Sequence, residues 1–265
     1  ARHTIIPNYV TESGFTEDIN GRTKVGAPLG ASELFVYDRE KDTVITVTTE
    51  DIPGIRDLPD FVNDYPELLK KKKQENAVRQ VSITGVTWSP KGNYAVVDID
   101  ALDNKDRWLM KLDAVTGKLS LLNRQRDEAW VGGPGINSGN TGWINENLFW
   151  FQSEATGYAH IYTVDITTGK KTALTSGQYE VQQCLLSGDK KYFYITTNEV
   201  HAGEQQLYRL PVTGGRAERI TTLTGANKVI LSPGEKQAAI LYSYSNKPWE
   251  LFLQDSKPGA KAEQL

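Results

Sequence analysis

The sequence predicts an all-β fold, a partial β-propeller of about four to five blades with four antiparallel strands in each. Three observations predict it. First, residues 143–175 read as strands at 148–151, 158–164 and 171–175, rich in aromatic and β-branched residues and separated by polar turns bearing Gly157 and Gly169. That is the pattern of an antiparallel meander. Second, the central strand and its following turn recur. Trp108-Leu109-Met110-Lys111-Leu112-Asp113 precedes Gly117, Ile161-Tyr162-Thr163-Val164-Asp165 precedes Gly169, Leu207-Tyr208-Arg209-Leu210-Pro211 precedes Gly215, and Leu251-Phe252-Leu253-Gln254-Asp255 precedes Gly259, at steps of 52, 46 and 44 residues. Third, another marker runs in phase: Trp88-Ser89-Pro90-Lys91-Gly92, Leu186-Ser187-Gly188-Asp189-Lys190 and Leu231-Ser232-Pro233-Gly234-Glu235, each opening onto an apolar strand. A period of about 40–50 residues with about four short strands marks a propeller, because one blade has two faces to cover and buries them only against neighbouring blades. A β-sandwich, the rival arrangement, imposes no such in-phase repeat.

The elements follow in order. Residues 1–22 are polar and read as a strand and loop entering from elsewhere, and residues 23–28 as a turn. Residues 33–38 and 43–47 form a hairpin, the remainder of a first blade. Residues 53–77 break the pattern with Pro53, Pro59 and Pro66 and leave room only for a short helix, an excursion from the blade or its connector. Residues 81–122 make a full blade. Residues 124–142 are a loop-rich bridge with five glycines. Blades at 143–175, 180–221 and 227–265 complete the chain, the last with its outermost strand barely begun at 262–265. The first blade starts incomplete, so the expectation is a longer ring with blades before Ala1.

Composition narrows the function. The chain has 265 residues and 29.5 kDa, a formal net charge of −3 and 24% charged residues. Nucleic-acid binders show a basic excess or stripe, and none is present. The four lysines at 70–73 lack interleaved aromatics and read as a solvated helix face. No apolar run reaches the roughly 18 residues of a membrane span. The start at Ala1-Arg2-His3-Thr4 has neither an initiating Met nor the basic-then-apolar pattern of a signal peptide, so a processed or excised piece is expected. Cys184 is the one cysteine; it excludes an internal disulfide and reads as a small buried hydrophobe.

Catalytic patterns are missing. Gly135-Ile136-Asn137-Ser138-Gly139 has the wrong spacing for a nucleophile elbow, and no His-Glu-x-x-His or phosphate-binding loop occurs. No metal-ligand or cofactor pattern stands out either. His3, His160 and His201 lie far apart: His160 falls on a central strand and reads as packed, His201 in a hairpin loop and reads as solvated. Glu154 and Glu199 sit at equivalent strand ends, which favours a role in accepting turn hydrogen bonds over one as general acid.

Taken together, the motifs resemble one family. Phe149-Trp150-Phe151-Gln152-Ser153-Glu154, then Gly157-Tyr158-Ala159-His160-Ile161-Tyr162, then Leu174-Thr175-Ser176-Gly177-Gln178-Tyr179-Glu180-Val181 are similar to a blade of dipeptidyl peptidase IV-type enzymes. Tyr194-Ile195-Thr196-Thr197-Asn198-Glu199, Gln206-Leu207-Tyr208-Arg209 and Leu231-Ser232-Pro233 resemble the blades that follow, and Lys24-Val25-Gly26-Ala27 resembles a turn earlier in the same propeller. The resemblance runs in order over about residues 20–256. It implies a prolyl oligopeptidase-family serine peptidase, in which an N-terminal propeller caps a C-terminal α/β-hydrolase domain carrying Ser, Asp and His.

On that resemblance residues 1–265 are the C-terminal part of the propeller, with the catalytic domain downstream and no catalytic residue of their own. The family's acidic, amine-binding pair lies upstream of the Lys24 turn, and no Glu-Glu pair occurs here. The family's aromatic and arginine of the substrate pocket align with Pro134 and Gly135. The substrate-binding candidates are therefore Trp130, Gly132, Gly133 and Gly135, whose glycines allow close backbone approach or a tight turn. The implied role is an accessory, substrate-gating propeller of a secreted or periplasmic aminopeptidase removing dipeptides from peptide N-termini. The implied partners are peptides, the covalently linked hydrolase domain and, through exposed blade edges, further copies of the chain. A stand-alone propeller serving as a protein-binding scaffold is the alternative. A hydrolase with its site inside the propeller is disfavoured by the shortage of acid/base pairs.

Overall fold

The serine marker folds into one turn, built three times. In the computed structural model, which describes residues 4–24, 27, 30–136 and 140–265, the amides of Ser89, Ser187 and Ser232 donate to the carbonyls of Tyr94, Tyr192 and Gln237 at 2.8, 2.8 and 2.9 Å. Their hydroxyls accept the return amides of the same three residues at 3.0, 3.0 and 3.1 Å. The third residue after each serine is left-handed: Gly92 at φ 76°, Lys190 at 57° and Glu235 at 55°. The aspartate turns repeat as well. Asp113 Oδ1 accepts the amides of Val115 and Thr116, and Asp165 Oδ1 those of Thr167 and Thr168. Gly117 and Gly169, at φ 71° and 72°, donate back to the aspartate carbonyls at 2.8 Å. Both turns reverse the chain and set antiparallel registers.

Residues 1–32 and 33–265 form two separate units. The first holds a hairpin, β1 (Ile5–Asn8) paired antiparallel with β2 (Glu17–Asn20), rather than the single strand and loop expected from its polar sequence. Within the turn read at 23–28, Val25, Gly26 and Pro28 lie outside the described residues, as do His3 and the Asn137-Ser138-Gly139 end of the bridge.

The second unit is the partial propeller. Its first blade is two-stranded, β3 (Leu34–Asp38) and β4 (Thr43–Val47). Among the described residues, four blades of four strands follow. They are β5 (Val81–Trp88), β6 (Ala95–Ala101), β7 (Asp106–Leu112) and β8 (Leu119–Arg126); then β9 (Gly142–Trp143), β10 (Leu148–Ser153), β11 (His160–Asp165) and β12 (Lys171–Ala173). The fourth blade is β13 (Val181–Leu186), β14 (Tyr192–Thr197), β15 (Gln206–Pro211) and β16 (Glu218–Arg219). The fifth is β17 (Ala226–Leu231), β18 (Gln237–Tyr244), β19 (Lys247–Asp255) and β20 (Glu263–Gln264). The third blade has one strand more than its three-strand sequence reading. Gly142 and Trp143 pair with Trp150 and Phe149, a two-residue strand too short to leave a periodic signal.

Hydrophobic cores lie between blades, as the stacking argument requires. Val47 of the first blade packs with Val97, Ile99 and Trp108 of the second. Val96 and Leu109 of the second meet Trp143, Phe149 and Phe151 of the third. Trp150 of the third sits edge-on to Phe193 of the fourth, ring centroids 5.1 Å apart. Tyr194 and Leu207 of the fourth pack against Val229 and Leu231 of the fifth. Buried glutamines stitch the same seams: Gln125 Nε2 donates to the Gln152 carbonyl at 2.9 Å, and Gln152 Nε2 to the Val181 carbonyl at 2.8 Å.

Between β4 and β5 a 3-10 turn (Asp60–Asp64) leads into α1 (Pro66–Glu75). Proline suits the first helical position, and Asn76 ends the helix in the left-handed region at φ 41°. α1 buries no residue, and Lys70 to Lys73 are exposed. The excursion is held by its ends: Trp108 Nε1 donates to the Pro53 carbonyl at 3.0 Å, and Arg79 donates to the carbonyls of Gly54 and Ile55 at 2.8 and 3.0 Å.

Candidate functional site

The bridge between the second and third blades is pinned from several sides. Asp127 Oδ1 accepts the amides of Ala129 and Trp130 at 2.7 and 3.1 Å and so curls the loop. The Val131 amide donates to the Asn104 carbonyl at 2.7 Å, and Lys105 Nζ donates to the Glu128 carbonyl. Glu128 Oε2 accepts the Asp60 amide at 2.8 Å, tying the loop to the excursion. Farther on, Asn140 Nδ2 donates to Gln152 Oε1 at 3.1 Å and to the Cys184 carbonyl at 2.9 Å.

The glycines serve both purposes open to them. Gly133 has φ 101°, and a Cβ there would lie 2.1 Å from Glu154 Oε1. Gly135 has φ 75°, and a Cβ there would lie 1.8 Å from Gln152 Oε1. The loop therefore turns tightly and presses its backbone against polar side chains of β10 and the turn that follows it.

Two hollows flank the loop. The smaller, about 220 Å³, is lined by Arg124, Arg126, Asp127, Gly132, Ser153 and Glu154. Both arginines are engaged by Asp106, at 2.6 and 2.7 Å. Burial raises the Glu154 carboxyl above the usual range, and the charges of Glu180 and Asp127 push it the same way. The larger hollow, about 440 Å³, has Gly135 and Asn140 at its edge and lies between the fourth and fifth blades.

The candidate residues are thus distributed. Trp130 is 67% exposed, held through its amide. Gly132 is buried and lines the smaller hollow, Gly133 backs Glu154, and Gly135 lines the larger hollow. Sequence reasoning assigned Glu154 to a turn. The turn is instead closed by backbone, with the Gly157 amide donating to the Glu154 carbonyl at 2.8 Å, which leaves the carboxylate against the bridge. That contact joins a loop to the following blade, and no spacing in the sequence signals it.

The histidines and the cysteine are settled by their surroundings. His160 is fully buried, with Nδ1 3.0 Å from Thr175 Oγ1 and Nε2 3.0 Å from the Gly177 carbonyl, so both ring nitrogens are occupied. His201 is exposed and accepts the Gly203 amide at 3.1 Å. Cys184 is buried and its thiol pKa is pushed well up by desolvation, which suits a packing residue and not a nucleophile. Glu199 faces Tyr179 and Tyr208; burial first and then the Glu199 charge push the Tyr179 hydroxyl up to about 12.

Residues 33–249 match the family described as dipeptidyl peptidase IV (DPP IV) N-terminal region. A probable dipeptidyl peptidase 4 of Arthroderma benhamiae is 29% identical over 127 residues, 46% of this chain and 16% of that protein. A probable dipeptidyl peptidase 4 of Aspergillus fumigatus is 25% identical over 198 residues, 61% of this chain and 25% of that protein. Among solved structures, dipeptidyl peptidase 4 of Porphyromonas gingivalis aligns with a TM-score of 0.71 at 17% identity, covering 100% of this chain and 33% of that one. A dipeptidyl aminopeptidase IV homologue from Bacteroides ovatus aligns at 0.62 and 15%, covering 100% and 36%. At such identities the structural likenesses speak for the fold. The chain spans about a third of each of those solved chains.

Proposed function

This chain belongs to the dipeptidyl peptidase IV N-terminal family, and we propose that it is the substrate-gating propeller of a serine aminopeptidase that removes dipeptides from peptide N-termini. The observation that carries the reading is the family match over residues 33–249, which takes in every blade up to β19 of the last. In this reading the Ser, Asp and His sit on a covalently linked α/β-hydrolase domain. The propeller excludes folded proteins and passes extended peptides, and the bridge at Trp130, Gly132, Gly133 and Gly135 contacts the peptide, with the glycines offering backbone and Trp130 an exposed ring. The cellular address is periplasmic or secreted. Among the described residues no helix is long and apolar enough to cross a membrane.

Apolar side chains stand exposed on the first blade at Phe35, Tyr37 and Val44 and on the fifth at Ile230, Trp249 and Leu251. Such faces favour self-association of the chain when it is separated from further blades.

The test is hydrolysis of Xaa-Pro chromogenic dipeptides by the gene product with its hydrolase domain. Activity is expected, with KM for longer peptides raised in Trp130→Ala. A folded protein carrying that domain and inert toward these substrates would overturn the reading.

A further inference from the structure

We propose, resting on the gating role above, that the 440 Å³ hollow between the fourth and fifth blades is a subsite for an uncharged, apolar segment of an extended peptide. Its volume falls in the range of ligand pockets, about 300–1,000 Å³. None of its described lining residues carries a charge. Tyr194, Val229 and Leu231 form an apolar wall, and Leu185 lines the hollow while 55% exposed, although its strand neighbour Cys184 is buried. An apolar side chain seated there would remove the Leu185 surface from water.

The polar groups of the hollow suit a peptide backbone. β13 is the edge strand of its sheet. The carbonyls of Val181 and Cys184 on this strand are already read by carboxamides, Gln152 Nε2 at 2.8 Å and Asn140 Nδ2 at 2.9 Å. Between them the register with β14 slips, from Val181 opposite Thr197 to Gln183 opposite Thr196, and Gln182 is left in a bulge. Such bulges re-aim a side chain. Gln182 lines the hollow, and its Oε1 is buried without a hydrogen-bond partner among the described residues. A buried acceptor of this kind calls for an N–H donor, since leaving it unmade is costly. A turn of the Gln182 carboxamide into the hollow would bring that acceptor to a peptide amide, while the adjoining apolar wall takes the side chain. A basic or acidic side chain would find no counter-charge there and would lose its hydration.

The experiment is calorimetric titration of the protein with acetyl-Ala-Leu-Ala-amide and with the same peptide bearing Lys or Glu in place of Leu. The variants are Leu185→Lys, Gln182→Ala and, as a surface control outside the hollow, Val115→Lys at a residue exposed in a turn of the second blade. The expected result is that wild type and Val115→Lys bind the leucine peptide alike, that Leu185→Lys binds it at least about tenfold more weakly, and that Gln182→Ala loses about three- to tenfold. The charged peptides are expected to bind at least about tenfold more weakly to wild type. Binding unchanged in both hollow variants would overturn the subsite while leaving the gating role in place. Equal binding of the charged peptides would overturn its apolar selectivity. Binding of no peptide to any form would overturn the subsite and count against gating as well.

Discussion

Gly135 stands so close to Gln152 that a methyl group on its Cα would lie 1.8 Å from Gln152 Oε1. Gln152 is fully buried and held at both ends of its amide, by Asn140 and by the Val181 carbonyl, so it has no room to yield. Gly135→Ala is expected to cost about 2–4 kcal/mol, combining left-handed strain with lost hydrogen bonds. Gly157→Ala, at φ 89° with open space around it, carries the strain alone and should cost about 1–2 kcal/mol. Thermal unfolding of both variants checks the difference.

Asp106, 1% exposed, accepts three guanidinium groups: Arg79 at 2.7 Å, Arg124 at 2.6 Å and Arg126 at 2.7 Å. Asp106→Asn leaves three partly buried cations short of their shared counter-charge. Removing one partner of a buried ion pair typically costs about 3–5 kcal/mol. Arg79 also fastens residues 54 and 55, so the loss should reach the excursion. Urea denaturation should show the lower midpoint, and limited proteolysis should show faster cleavage within residues 53–77.

Asp100 is half-buried, and desolvation followed by the charge of Asp98 raises its pKa to about 6, against a partial offset from Arg107. Its folded pKa lies above the unfolded value near 3.9. Its contribution to stability is therefore complete below about pH 4 and is lost as pH rises through about 6. Asp100→Asn should stabilise the protein at pH 7.5, by about 1 kcal/mol after allowance for solvent screening, and should give no gain at pH 4. Melting curves at the two pH values decide it.

Lys190 occupies the left-handed position that Gly92 fills in the equivalent turn of the second blade. Its side chain is exposed. Lys190→Gly relieves the conformational cost and gives some of it back as unfolded-chain entropy, for a net gain of roughly 0.5–1 kcal/mol. A raised melting temperature is the expected reading. Glu235 holds the same position in the fifth blade, but its Oε1 accepts the Gly188 amide at 2.6 Å, so Glu235→Gly should bring no such gain.

Sequence alone determined the β character, the blade phase and the family. These rest on local chemistry repeated at a near-constant step: Ser89, Ser187 and Ser232 build the same turn from their own neighbours, and Asp113 and Asp165 do likewise. Tertiary structure decided what repetition does not encode. The pairing of Gly142–Trp143 depends on β10 being present to receive it. The turn of Glu154 toward Gly133, and the division of the bridge glycines between two hollows, depend on where the third and fourth blades place Gln152, Val181 and Cys184. The Gln182 acceptor, unmatched among the described residues, appears only when β13 and β14 slip register. Turns are set by residues a few positions apart, whereas sites are set by side chains that meet only after blades have packed face to face.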